Sequence, residues 1–176
     1  MKKVMLLTIF AALMMISSVA VAQTASGTLT VTATVNGSIN LVFNSDAAGV
    51  ALSSGAGTNA ATLAFGNVSA FGAISAGIAR STTASNFTVS SAVDVLVTKT
   101  NSASANYTLK AQLGSADAVN TWAVGGVAVT NAALSTLTAT GTYAANSNFP
   151  VAITVPFTTA SGTLISNTIN YVATAN

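Results

Sequence analysis

Polar and apolar positions alternate over residues 26–35, with Leu29, Val31, Ala33 and Val35 on one side and Thr28, Thr30, Thr32 and Thr34 on the other. A period of two is the mark of a half-buried β-strand, because successive side chains leave opposite faces of the pleat. The rhythm returns at Ile39, Leu41 and Phe43, at Phe87 and Val89, and at Val93, Val95 and Val97. It returns again at Tyr107, Leu109, Ala111 and Leu113, at Val151, Ile153, Val155 and Phe157, and at Ile169, Tyr171 and Ala173. Weaker runs lie at residues 63–65, 122–129 and 134–143. Between them, residues 45–60, 73–81 and 100–106 are rich in Ser, Gly, Asn and Ala and read as turns and loops. No stretch sustains a helical period, and Gly49, Gly55 and Gly57 interrupt the Ala-rich piece that comes nearest to one. The pattern predicts an all-β chain of short antiparallel strands, in a sandwich or barrel.

Val93, Val95, Val97, Leu109, Val151, Ile153, Val155, Ile169 and Tyr171 are expected inside, and Asp94, Lys99 and Lys110 outside. A membrane-spanning barrel is the architectural rival. Aromatic residues make up only 6% of the chain, too few for two interfacial girdles, and the strands are too short.

The start of the chain has a different character. Lys2 and Lys3 precede an apolar run over residues 4–16 and a small-x-small site, Ala20-Val-Ala22. This predicts a signal peptide over 1–22, an N-terminal strand or arm over 23–36, and a sandwich domain over 37–176. The apolar run falls short of the ~20 residues that span a bilayer, so no membrane span is expected. The chain is expected to be secreted in soluble form to a bacterial cell surface, through the periplasm. The formal charge of +2 belongs to Lys2 and Lys3. Without them, Arg80, Lys99 and Lys110 balance Asp46, Asp94 and Asp117. That balance leaves no basic patch for nucleic acid or an anionic membrane, and it favours packing of one copy against another. The chain has no Cys, so its stability must come from burial, for which it is long enough to build one core.

The inventory for catalysis is thin. There is no His, Cys or Glu, so no group titrates near neutrality to serve as a general acid or base. Asp94 alternates with Val93 and Val95 and points outward, while Asp46 and Asp117 sit in loops suited to turn capping. Ser and Thr lack a neighbouring base, Lys110 falls on the polar side of its strand, and Lys99 ends one. Ligands for zinc or calcium are missing, and Gly125-Gly126 reads as a turn. Trp122 reads as a core or rim residue before a sugar-stacking platform. The sequons at Asn36, Asn67, Asn86 and Asn106 are without consequence in a bacterial route. No enzyme activity, cofactor or metal is expected.

The two ends of the chain, an alternating strand at the start and another at the close, resemble those of chaperone-usher pilins and the related spore-coat-U-like secreted subunits. Residues 26–35 resemble the N-terminal arm of these proteins. Leu63-Ala-Phe-Gly66 resembles their short apolar-x-Phe-Gly strand, and Ala160-Ser-Gly-Thr163 resembles the lead-in to their last strand, with its alternating residues and a Tyr near the end. The Cys pair that staples many of these subunits is absent, one member being expected near Ser38. The resemblance implies an incomplete immunoglobulin-like sandwich and a structural subunit of a pilus-like filament or coat. It also implies partners: other copies of the chain, a periplasmic chaperone and an outer-membrane usher.

In that scheme Leu29, Val31, Ala33 and Val35 form a donor strand that fills a neighbour's groove, and Ile169, Tyr171 and Ala173 mark the last strand. Alternation reads the same whether residues 26–35 pair with a neighbour or within their own sandwich. The competing function is a secreted, non-catalytic binding module: an adhesin, or a carbohydrate- or ice-binding protein presenting Thr28 to Thr34, a ladder echoed once at Thr136 to Thr142.

Overall fold

The computed structural model describes Ser26 and residues 28–176. The predicted signal peptide and the first residues of the arm lie outside the described residues. The chain divides after Thr34, and Val35–Asn176 forms a compact unit by itself. Its regular structure is β throughout. The strands are β1 (Ser38–Ser45), β2 (Ala79–Thr82), β3 (Asn86–Ser91), β4 (Val93–Thr100), β5 (Tyr107–Leu113) and β6 (Thr121–Val124). They continue with β7 (Val127–Val129), β8 (Ser135–Gly141), β9 (Asn146–Asn148), β10 (Val151–Pro156) and β11 (Ile169–Ala175). They form antiparallel sheets in the orders β1-β4-β9, β2-β3-β10-β6-β7 and β11-β5-β8.

The first two sheets are joined by strands that bend. β3 and β4 are separated only by Ala92, and β9 and β10 only by Phe149 and Pro150. Since β4 pairs with β9 and β3 with β10, one long ladder turns a corner at these residues. Pro150 lacks an N–H and cannot continue the ladder, so the corner falls where the break costs least. The sheet β11-β5-β8 packs across both, giving a β-sandwich. Ala111 and Leu113 of β5 join Val89, Val93, Trp122, Val124, Val151, Ile153 and Val155 in the larger core cluster. Val95 and Val97 of β4 meet Tyr107 and Leu109 of β5 in the smaller one. The Tyr107 ring lies against Gly141, where a Cβ would stand 2.3 Å from it, so glycine is required there.

The alternation read from the sequence matches these strands where both neighbours are paired: Val93, Val95, Val97, Leu109, Val151, Ile153 and Val155 are buried. Lys99 is exposed, whereas Asp94 and Lys110 are half-buried between strands that flank them on both sides. Ile169 and Tyr171 are also only half-buried, because β11 pairs with β5 alone.

Several expected strands differ. Residues 28–37 form no strand, and Leu29, Val31 and Val35 are 88%, 80% and 74% exposed. Residues 63–65 keep an alternating burial but have no ladder. The run at 122–129 is a hairpin, β6 to β7, turned by Gly125 and Gly126 at φ 57° and 79°, angles that favour glycine in a two-residue turn. β2 and β9 were not foreseen, since neither Ala-Arg-Ser-Thr nor Asn-Ser-Asn alternates in hydrophobicity.

Leu109→Ala should lower the free energy of unfolding in urea by about 2–5 kcal/mol, as a fully buried leucine does when it leaves a cavity. Leu164→Ala, at an exposed position, should change it by less than about 0.5 kcal/mol.

Candidate strand-accepting groove

β1 and β11 are both edge strands, each paired on one side only. In β11 the Gly114 N–H donates to the Thr168 carbonyl at 2.7 Å, and the Asn176 N–H to the Asn106 carbonyl at 3.1 Å. Strand alternation then directs the even-numbered backbone groups of β11 toward β5 and those of Ile169, Tyr171 and Ala173 away from it. In β1 the Phe43 N–H donates to the Thr58 carbonyl at 2.8 Å, and the Phe43 carbonyl accepts from the Gly57 N–H at 2.7 Å. By the same alternation the backbones of Ile39 and Leu41 face away from β4. Among the described residues no strand pairs with these edges.

Between the two edges runs a groove of about 1630 Å³. Ile39, Leu41 and Phe43 of β1 form one wall, and Ile169 and Tyr171 of β11 the other. Val89, Trp122, Val151, Ile153 and Val155 supply an apolar floor. The rings of Phe43 and Tyr171 meet edge to face, with centroids 5.0 Å apart. Burial pushes the Tyr171 phenol well above its ordinary pKa, so it lines the wall as a neutral group. Residues 59–68 and 161–168 close the remaining border, and Leu63, Phe65 and Ile165 lean on the core from there. The loop carrying residues 59–68 is tied down by polar bonds. Ser91 Oγ accepts from Val50 N at 2.8 Å, Ser45 Oγ accepts from Leu52 N at 3.0 Å, and the Arg80 guanidinium donates to the Ser69 and Gly72 carbonyls at 2.8 and 2.7 Å.

The groove floor is held from outside the groove. The Trp122 indole N–H donates to Asp117 Oδ2 at 2.8 Å, and Asp117 also accepts from the backbone N–H groups of Val119 and Asn120 and from the Asn120 side-chain amide. Desolvation, the largest single influence, pushes the Asp117 carboxyl up, but the bonds from Asn120, Trp122 and Val119 outweigh it together and hold the group at about 2. Trp122 is buried, as a core residue should be, and spacing in the sequence gave no sign of its tie to Asp117.

The structure brings Asp46 and Asp94 together on the outer face of the β1-β4-β9 sheet. Both accept from the Asn148 amide, at 2.8 and 3.3 Å, and Asp94 also accepts from Asn146. Asp46 in addition accepts from the Ala48 N–H at 2.7 Å, the turn-capping role expected of it. Of the predicted site residues, Ile169 and Tyr171 line the groove and Ala173 packs on the smaller core cluster. Leu29, Val31 and Ala33 belong to the separate unit that ends at Thr34, and Val35 opens the compact one.

No protein-family model, curated protein or solved structure matches the chain.

The Asp117 carboxyl lies below its unfolded value of about 3.9, so its contribution to stability is complete above that pH and is lost as pH falls from about 4 through about 2. Urea titrations between neutral pH and pH ~2 should show wild type losing more stability over this window than Asp117→Asn, which has no carboxyl to titrate. Asp117→Ala, which strands the buried Trp122 N–H, should cost about 1–3 kcal/mol at neutral pH and shift the tryptophan fluorescence.

Proposed function

We propose that the chain is a structural subunit of an extracellular filament or coat, assembled by strand exchange between copies. The observation that carries this reading is the groove with an apolar floor, bordered by two strand edges with unpaired backbone groups. An open edge of this kind is a liability in a protein that stays alone, and it is satisfied when another chain adds a strand. At about 1630 Å³ the groove exceeds the ~300–1,000 Å³ of small-molecule pockets. Its β11 wall, seven residues at ~3.3 Å each, is about 23 Å long. Residues 28–35 extended as a strand would reach about 26 Å by the same rise, and their apolar face would present Leu29, Val31, Ala33 and Val35 to the floor.

In this reading the domain is an immunoglobulin-like sandwich short of one strand, as the resemblance to chaperone-usher pilins implies. The donor is the arm of the next copy, and once Lys2 and Lys3 are removed with the predicted signal peptide the remaining charges cancel, which removes the repulsion that would oppose stacking. A periplasmic chaperone that covers the groove before assembly, and an outer-membrane usher, complete the scheme on the same resemblance. The predicted signal peptide supports export.

The test is deletion of residues 23–36. The truncated chain should fold but fail to polymerise, and a synthetic peptide of residues 23–36 should occupy its groove and raise its melting temperature. Val31→Asp in the full chain should block growth while leaving each subunit folded, since a charge on an apolar floor is costly to bury. A truncated chain that unfolds would place residues 28–35 inside their own sandwich. A full chain that stays monomeric at every concentration would leave a secreted binding module as the reading.

A further inference from the structure

Gly37 stands where the chain enters β1, close against the loop between β4 and β5. A Cβ at this position would lie 2.7 Å from the Asn101 carbonyl oxygen and 3.3 Å from Ser102 Cα. Asn101 is itself in the left-handed region, at φ 53°, and it is the Asn101 backbone that a side chain at 37 would meet. Packing therefore demands glycine at 37. The residue before it is Asn36, and of all the asparagines in the chain this is the one followed by glycine. Both residues are exposed and lie outside every strand. No hydrogen bond to another described residue holds the Asn36 amide, and the Gly37 N–H enters no ladder.

We propose that Asn36–Gly37 is a self-modification site at the root of the arm. The Gly37 nitrogen, giving up its proton to solvent base, attacks Cγ of Asn36. A new N–Cγ bond closes a five-membered succinimide, the Cγ–Nδ2 bond breaks, and the nitrogen leaves as ammonia with a proton from water. Water then adds to one of the two imide carbonyls and one C–N bond opens, leaving aspartate or isoaspartate. No oxidant or reductant takes part, and water is the only co-reactant. Glycine makes the step accessible because no side chain crowds the attacking nitrogen and its backbone reaches conformations closed to other residues.

The product changes the chain where the arm joins the domain. It adds a carboxylate to a set of charges, Arg80, Lys99 and Lys110 against Asp46, Asp94 and Asp117, that otherwise cancel. The isoaspartyl form also inserts a methylene into the backbone between residues 36 and 37. The inference does not depend on the assembly reading, and it holds for a chain that never polymerises.

The test is incubation of the purified full chain in neutral and in mildly alkaline buffer, followed by intact mass, peptide mapping and an isoaspartate-specific methyl-transfer assay. The expected result is a gain of about 1 Da that maps to residue 36, with ammonia released in step, faster at the higher pH. In Asn36→Gln the larger ring closes far more slowly, so the gain should be lost, while its circular dichroism and melting temperature match wild type. A mass that stays constant over weeks overturns the proposal, as does a gain that maps to another asparagine or persists in the glutamine variant.

Discussion

A backbone N–H or C=O removed from water must find a partner, and the constraint on this sandwich is that two of its edge strands, β1 and β11, leave such groups unpaired along one groove. β1 is paired through β4 and β11 through β5, and the edges of Ile39, Leu41, Ile169, Tyr171 and Ala173 face a gap. The apolar side chains along the gap share the deficit. Ile169 and Tyr171 alternate like core residues yet stay half-buried, because among the described residues no strand pairs with β11 on its second side, although Phe43 meets the Tyr171 ring. On the proposed reading one added strand would pair the open edges and complete the burial of Ile169 and Tyr171, while the floor beneath, Val89, Trp122, Val151, Ile153 and Val155, is already buried.

The rest of the fold holds the gap open instead of letting it collapse. The corner at Ala92 and Pro150 swings the β1-β4-β9 sheet away from the five-stranded one, while Val95 and Val97 are fixed against Tyr107 and Leu109. The floor is anchored from below by Asp117, whose carboxylate orients the Trp122 ring. The long loop after β1 is fastened at its ends by hydroxyls of Ser45 and Ser91 and by the Arg80 guanidinium, so that Leu63 and Phe65 border the groove without filling it. Close packing within each cluster makes these walls stiff.

Alternation revealed the strands wherever a strand is flanked on both sides and covered by the opposite sheet. Val93 to Val97, Leu109 and Val151 to Val155 are such cases, since their pattern and their burial have the same cause. It did not reveal partners. Residues 28–35 alternate as cleanly as β4 yet pair with nothing described, for periodicity records a face seeking cover and not which chain supplies it. β2 and β9 escaped for the opposite reason: Arg80 and Ser147 are strand residues because Val89 and Val95 stand opposite them, a pairing imposed by tertiary structure on segments with no preference of their own. Of the groove, the sequence showed the β11 wall and the predicted arm. The floor around Trp122, the closure by Phe43 on Tyr171 and the tie from Asp117 required the fold.

On the proposed function, the β11 edge takes a strand from another copy. Amide hydrogen exchange at Ile169, Tyr171 and Ala173, measured in dilute and in concentrated full chain, tests it most directly. The account predicts rapid exchange at these three amides in the dilute subunit, and protection on assembly that appears together with protection of residues 28–35. Slow exchange at the three amides and at residues 28–35 in a dilute, stable monomer would contradict it.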